Sequence, residues 1–262
     1  MRADGYFCGM ELYLLCAFAF LAGLVDSIVG GGGLVQIPAF FILYPQLSVP
    51  NVISTNRIAS AVGTSVAALN YSKSVSIPWK TVLYAGITAS VCSYLGATVQ
   101  SLLPSGVLKP VILVLIVLIA VYTFRKKDFG HHENLNVTEE KLPYWAAGTG
   151  ALLGFYNGFI GPGTGSLLVF AFVSIIGYNF LKASAISKIV NVISDVSSLV
   201  FFFIHKTIIF KLALPMMACN VAGSYLGSRL AVLRGNVFIR KVFLAVIAGI
   251  IMRFAWDIFG GV

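Results

Sequence analysis

The chain has 262 residues, of which 58% are hydrophobic and only 10% are charged. Its mean hydropathy of +0.93 lies far above that of soluble domains, which argues against a soluble enzyme. The formal net charge of +9 does not indicate nucleic-acid binding, because the basic residues fall mainly at the ends of apolar segments, where they would face anionic lipid. We therefore expect a polytopic integral membrane protein.

In chain order, the apolar segments predict a similar set of membrane segments in each half of the chain. In the first half they cover residues 8–29, 34–45, 52–72, 79–102 and 106–124, and in the second half residues 143–160, 164–177, 183–204, 208–230 and 237–258. The first two segments of each half are short and flank a glycine cluster, which predicts a broken or re-entrant helix pair followed by three transmembrane helices. The expected fold is all-α, with about 8 to 10 membrane segments.

The two halves of the sequence align without a gap at an offset of 131 residues, half the chain length. The matches include Ser93-Tyr94-Leu95-Gly96 with Ser224-Tyr225-Leu226-Gly227, and Arg57 with Lys188. A duplicated bundle of this size is typical of secondary transporters. We predict a first transmembrane repeat at 1–124, a polar linker at 125–142 and a second repeat at 143–262.

An inverted topology is expected for these two repeats. A helix pair that crosses twice, or enters and returns, leaves an odd number of crossings in each half, so the second half would start from the opposite side of the membrane. Lys and Arg collect on the side that would hold the linker, which predicts a cytoplasmic linker and an N-terminus outside.

Glycine clusters interrupt the apolar sequence at Gly30-Gly31-Gly32-Gly33 and at Gly161-Pro162-Gly163-Thr164-Gly165. Close helix packing through small residues is one explanation. The alternative is helix interruption, in which unwound backbone offers free N–H groups to an anion. A nucleotide-binding loop is excluded because neither cluster continues as Gly-Lys-Ser/Thr. Recurrence in register favours interruption, with a site lined by Gly31, Gly32, Gly163, Thr164 and Ser166.

Matched polar stripes follow the glycine clusters. Spacings of i, i+3 and i+7 place each stripe on one helix face, and the stripes comprise Asn56 with Arg57, Ser60 and Thr64, and Lys188 with Asn191 and Asp195. A buried charge in a membrane is costly, so Arg57 and Lys188 should point into the bundle, unless they reach an interface from a helix end. Inward cations with Asn56 and Asn191 as neutral donors would attract an anion.

Asp26 precedes the first glycine cluster, and its counterpart in the second half is the uncharged Asn157. Asp26 could hold the interrupted backbone by hydrogen bonds or take part in ion coupling. Asp195 could pair with Arg57 or carry a proton. These alternatives stay open at the level of sequence.

No metal site or cofactor is predicted. Cys8, Cys16, Cys92 and Cys219 contain no C-x-x-C pair and are expected to be buried thiols, and the pair His131-His132 in the linker is expected to be solvated.

The motif residues 26–33 with Pro38, the run Ser54-Thr55-Asn56-Arg57, and residues 154–165 together resemble the sulfite exporter TauE/SafE family of bacterial membrane permeases. The similarity covers almost the whole chain. It implies export of a small sulfur-containing anion, such as sulfite or a sulfonate, across the bacterial plasma (inner) membrane, with the paired motifs forming the transport site.

The function predicted is thus a permease that moves such an anion outward by alternating access, and not an enzyme. A non-transporting scaffold or receptor subunit is the alternative, followed by an intramembrane enzyme, which would need a nucleophile paired with a base. Partners expected are the small anion and membrane lipid, with no nucleic acid, and a homodimer is compatible with this prediction.

Overall fold

The computed structural model describes residues 9–103 and 133–259, without the side chains of residues 240 and 243–259. The segment predicted at 106–124 and most of the predicted linker lie outside the described residues. In the described part every regular element is a helix, as expected.

The first half contains four described helices. They are α1 (Met10–Val29), α2 (Gly32–Leu43), α3 (Val49–Ser72) and α4 (Trp79–Leu102). The α1 helix ends at the glycine cluster, because Gly30 and Gly31 adopt φ angles of 73° and 132°, which L side chains rarely tolerate. The Ser48 side chain caps α3 by accepting a hydrogen bond from the Asn51 N–H.

The second half repeats this order. It contains α5 (Leu142–Phe159), α6 (Thr164–Ala171), α7 (Phe180–Ile204) and α8 (Phe210–Phe259). A π-helical turn at Phe172–Ile176 continues α6. Asn179 caps α7 through the Lys182 N–H, at the position that corresponds to Ser48. The backbone of α8 breaks at Gly235 (φ 66°), between the segments predicted at 208–230 and 237–258.

Three described helices are long and apolar enough to cross a membrane by composition: α1, α4 and α7. The two helices that follow the glycine clusters are apolar but shorter. In α3 many inward positions are polar, including Ser54, Thr55 and Thr64, which are at most 1% exposed. The chain is therefore a membrane protein whose described part is all helical, with polar groups in the interior of the bundle.

Helices from the two halves pack against each other through glycine. A Cβ atom on Gly96 of α4 would lie 2.3 Å from the main-chain oxygen of Phe155 in α5. A Cβ atom on Gly227 of α8 would lie 2.4 Å from the main-chain oxygen of Leu24 in α1. Each pair is the counterpart of the other at the offset of 131 residues, so α4 meets α5 as α8 meets α1.

Candidate functional site

The two helix breaks lie against each other in the interior of the bundle. A Cβ atom on Gly30 would lie 2.2 Å from the main-chain carbon of Gly165, so only glycine permits this approach. The Ser166 hydroxyl donates to the main-chain carbonyl of Gly30 across the same contact. The breaks after α1 and after α5 therefore form one unit of structure built from both halves.

Asp26 holds the first break. Its Oδ1 accepts from the N–H groups of Gly31 (3.0 Å) and Gly32 (3.2 Å), and its Oδ2 accepts from the Thr64 hydroxyl (3.0 Å). A carboxylate at this position satisfies N–H groups at the start of α2 and lies at the positive end of the helix dipole.

Lys188 reaches Asp26 from the other half of the chain. Its Nζ lies 3.6 Å from Asp26 Oδ2 and also donates to the Asp26 main-chain carbonyl. The residue is 0% exposed, so it does not extend to an interface from a helix end. The Lys188 charge is thus neutralised inside the bundle by a carboxylate that also holds the first break.

Arg57 reaches the second break in the equivalent way. Its Nη2 donates to the main-chain carbonyl of Asn157, the counterpart of Asp26, and its Nη1 donates to the Ser198 hydroxyl at 2.6 Å. The guanidinium also lies over the Phe202 ring, 5.4 Å from its centroid. The residue is 4% exposed, and no carboxylate within the described residues lies within 4.0 Å of it.

Asp195 makes its contact with Asn157 and not with Arg57. The Asn157 Nδ2 donates to Asp195 Oδ1 at 2.8 Å and to the Ser194 hydroxyl at 2.6 Å. Of the two alternatives from the sequence, a direct ion pair with Arg57 is not formed. Asp195 is 4% exposed, so this carboxylate is buried without a contacting cation in the described part of the chain.

The same hydrogen bond occurs in both halves with the carboxylate on opposite partners. In the first half Asp26 is the carboxylate and Thr64 donates to it; at the corresponding positions in the second half Asn157 donates and Asp195 is the carboxylate. One carboxylate per half is kept, but only the first one contacts the N–H groups at a helix break. Among the described residues, no carboxylate contacts the N–H groups of the second break.

A small polar cavity opens beside the second break. Its volume is about 30 Å³, enough to hold water, and its polar lining includes predicted site residues from both halves: Asp26, Asn56, Arg57, Asn157, Gly163, Thr164, Asn191 and Asp195. The cavity lining therefore includes both Arg57 and Asp195, which make no direct ion pair.

Two side-chain amides in the cavity lining lack partners for their oxygen atoms. Asn56 and Asn191 are each 6% exposed, and neither Oδ1 has a hydrogen-bond partner within the described structure. Buried polar atoms in native proteins are normally satisfied, and because both oxygens are acceptors, a donor such as water would pair with them in the cavity.

Several predicted residues lie behind the lining. The cavity lining does not include Gly31, Gly32, Lys188 or Ser166. Asp26 contacts the two glycines and Lys188, and Ser166 contacts Gly30. Sequence reasoning missed the apolar wall formed by Ile37, Ile53 and Ile160, and it missed Tyr156, whose hydroxyl donates to the Pro162 carbonyl at 2.5 Å. No sequence signal singles out these isoleucines, because apolar residues fill every helix.

Comparison with known proteins gives a consistent result over nearly the whole chain. The family model described as "Sulfite exporter TauE/SafE" matches residues 15–254. The "Probable membrane transporter protein YfcA" of Escherichia coli K12 is 32% identical over 252 residues, covering 95% of this chain and 91% of the relative. The "Probable membrane transporter protein ORF9" of a Sinorhizobium species is 31% identical over 248 residues, covering 94% and 93%. No solved structure matches the chain.

Proposed function

The chain belongs to the sulfite exporter TauE/SafE family and is a membrane transporter, and from this premise we propose that it carries a small anion, sulfite or an organosulfonate, through the cavity beside Arg57. The proposal includes outward movement across the bacterial plasma membrane. The description of the family, sulfite exporter, motivates both the substrate and the direction of this proposal.

The observation that carries this proposal is the position of Arg57. The guanidinium is 4% exposed and lines the polar cavity, yet no described carboxylate lies within ion-pair distance. A buried cation is costly unless an anion accompanies it. A sulfite or sulfonate group would give Arg57 an anion in direct contact, and a planar guanidinium suits an oxyanion because it donates several hydrogen bonds in one plane.

The difference between the two helix breaks also supports an anion site beside the second break. Asp26 places its own carboxylate on the N–H groups of Gly31 and Gly32 at the start of α2. At the start of α6 the corresponding residue is Asn157, whose amide turns towards Asp195.

The Thr164 N–H at the start of α6 donates to the Gly161 carbonyl at 3.2 Å, and the other first-turn N–H groups have no partner within their own helix. The counterpart of Gly31 is Pro162, which has no N–H, and the counterpart of Gly32 is Gly163. We infer that a substrate oxygen accepts from the Gly163 N–H, as Asp26 Oδ1 accepts from the Gly32 N–H.

Alternating access is the mechanism that we propose for this site. Contacts that recur at the offset of 131 residues, such as Gly96 with Phe155 and Gly227 with Leu24, support two repeats of inverted topology that change places around a fixed central site. The N-terminus would then lie outside and the linker in the cytoplasm.

The test is anion flux into proteoliposomes that contain the purified chain, driven by the anion gradient with the membrane potential held at zero. Sulfite, methanesulfonate and sulfate are compared. We expect saturable flux for sulfite or the sulfonate, and loss of that flux in Arg57→Gln but not in Lys182→Gln, whose ammonium pairs with Glu133 at the surface. Absence of flux for every anion would contradict the proposal and favour a scaffold or receptor subunit.

A further inference from the structure

The second carboxylate of the site, Asp195, has a geometry that anion binding alone does not explain. It is 4% exposed, lines the cavity, and accepts from one described side chain, Asn157, through Oδ1 only. Asp26, by contrast, accepts from two backbone N–H groups and a hydroxyl and has Lys188 at 3.6 Å. A purely structural carboxylate would be expected to have partners like those of Asp26.

The charges around the two breaks balance when the cavity holds no anion. Lys188 and Asp26 form a pair, and Arg57 and Asp195 contribute one charge of each sign to the cavity lining. The charged groups that act on Asp195 are Arg57 of α3, Asp26 of α1 and Lys188 of its own helix, while α5 presents the neutral Asn157. The empty site is therefore neutral overall.

Binding of a monoanion at Arg57 disturbs this balance. The cavity would then contain the anion and the Asp195 carboxylate against a single guanidinium, and so would carry a net negative charge inside the bundle. An unbalanced charge in a low-dielectric interior is unfavourable, and it would have to move with the site during alternating access. One proton on Asp195 restores neutrality.

We propose that Asp195 is the binding site of a coupling proton, so that this transporter moves a monoanion together with one proton as an electrically neutral unit. The proposal rests on the proposed anion site at Arg57. The proton binds when the anion binds, because each reduces the electrostatic cost of the other, and both leave on the opposite side. Asp26 stays ionised and paired with Lys188 throughout the cycle.

Neutral transport makes the anion gradient and the pH gradient the only driving forces for flux. The membrane potential does no work on a neutral loaded site, so outward flux follows the anion concentration gradient against the pH gradient. A difference of one pH unit would support about a tenfold anion gradient at equilibrium. A uniporter of a monoanion would instead build a gradient of about 50-fold per 100 mV and would ignore pH.

The experiment uses proteoliposomes with the full-length chain, with potential and pH gradient set independently. Methanesulfonate is the main probe because it does not titrate near neutral pH, and sulfite is used for the potential measurement if only sulfite is carried. For the wild type we expect flux that does not change between 0 and 100 mV, and about tenfold accumulation of methanesulfonate on the side that is more alkaline by one pH unit.

Variants separate the coupling role from a structural one. Asp195→Asn keeps an oxygen that can accept from Asn157, and we expect it to bind the anion and to lose the response to the pH gradient. Asp195→Glu should restore part of that response, and Glu133→Gln, an exposed carboxylate, should leave it unchanged.

The outcomes distinguish this inference from the function on which it rests. Saturable wild-type flux that depends on potential, on a sodium gradient, or on neither potential nor pH would overturn the proton site while leaving the anion site intact. A pH response that persists in folded Asp195→Asn would also overturn it. Absence of anion flux in the wild type would contradict the proposed function itself.

Discussion

Arg57 donates a hydrogen bond from Nη2 to the main-chain carbonyl of Asn157, a residue 100 positions later at the end of α5. Lys188, its counterpart, donates to the main-chain carbonyl of Asp26 near the end of α1. In both cases a cation of one half satisfies a carbonyl near the C-terminus of the helix that precedes a break in the other half. Cations are favourable there because the helix dipole is negative at its C-terminus.

Removal of the Asp26 charge should destabilise the fold more than it alters anion specificity. In Asp26→Asn the buried Lys188 loses its only described carboxylate within 4.0 Å, and breaking one partner of a buried ion pair costs about 3–5 kcal/mol. We expect a large fall in the free energy of unfolding in detergent. Unchanged stability would contradict the structural role assigned to Asp26.

Moving the carboxylate from position 26 to position 64 should recover part of the stability that Asp26→Asn loses. The second half carries Asn157 opposite Asp195, so Asp26→Asn combined with Thr64→Asp gives the first half the same arrangement. We expect the double variant to be more stable than Asp26→Asn alone, since a carboxylate inside the bundle again balances the buried charge of Lys188. If the loss of stability in the double variant equals the sum of the losses in the two single variants, the first half cannot adopt the arrangement of the second half.

Arg57→Lys should transport less well than the wild type although the charge is kept. The ammonium of lysine cannot hold the Ser198 hydroxyl, the Asn157 carbonyl and an oxyanion in one plane as a guanidinium can. Loss of one charge-assisted hydrogen bond is worth about 1.5–3 kcal/mol, or about 10- to 100-fold in the apparent affinity measured from flux. Wild-type affinity in Arg57→Lys would show that only charge matters at this position.

Gly158→Ala should disrupt the packing of α5 against α4. A Cβ atom there would lie 1.8 Å from the main-chain oxygen of Ser93, a contact that requires the helices to separate. Gly148→Ala in the same helix is the matched control, because no atom lies within 4 Å of its added Cβ, and helix propensity favours alanine by about 1 kcal/mol. We expect the thermal unfolding temperature to fall below that of the wild type in Gly158→Ala and to rise slightly above it in Gly148→Ala.

Gly163→Ala should impair transport because alanine strains the backbone at this position, and not because its methyl group collides with a neighbour. Gly163 precedes α6 with φ 82°, where alanine is strained but asparagine is better tolerated. We therefore expect flux to fall in Gly163→Ala and to recover in part in Gly163→Asn. Equal flux in both variants would mean that the left-handed conformation at this break is not needed for transport.

Sequence alone predicted the helical membrane class and the residues that meet at the breaks, because glycine clusters and polar residues within apolar helices recur at an offset of 131 residues. It did not predict which partners they choose. Lys188 pairs with Asp26 and Arg57 does not pair with Asp195, and both outcomes depend on how helices of different halves approach each other. Ile37 and Ile160 line the cavity without any local signal, because their neighbours in the sequence are equally apolar.

The most direct test of the central claim, that the cavity beside Arg57 is the anion site, is equilibrium binding of sulfite and methanesulfonate to the purified chain in lipid nanodiscs. Binding is compared between the wild type, Arg57→Gln and Lys182→Gln at one ionic strength. We expect one of the two anions to bind saturably to the wild type and to Lys182→Gln, and this binding to be lost in folded Arg57→Gln. Undiminished binding in Arg57→Gln would contradict the claim.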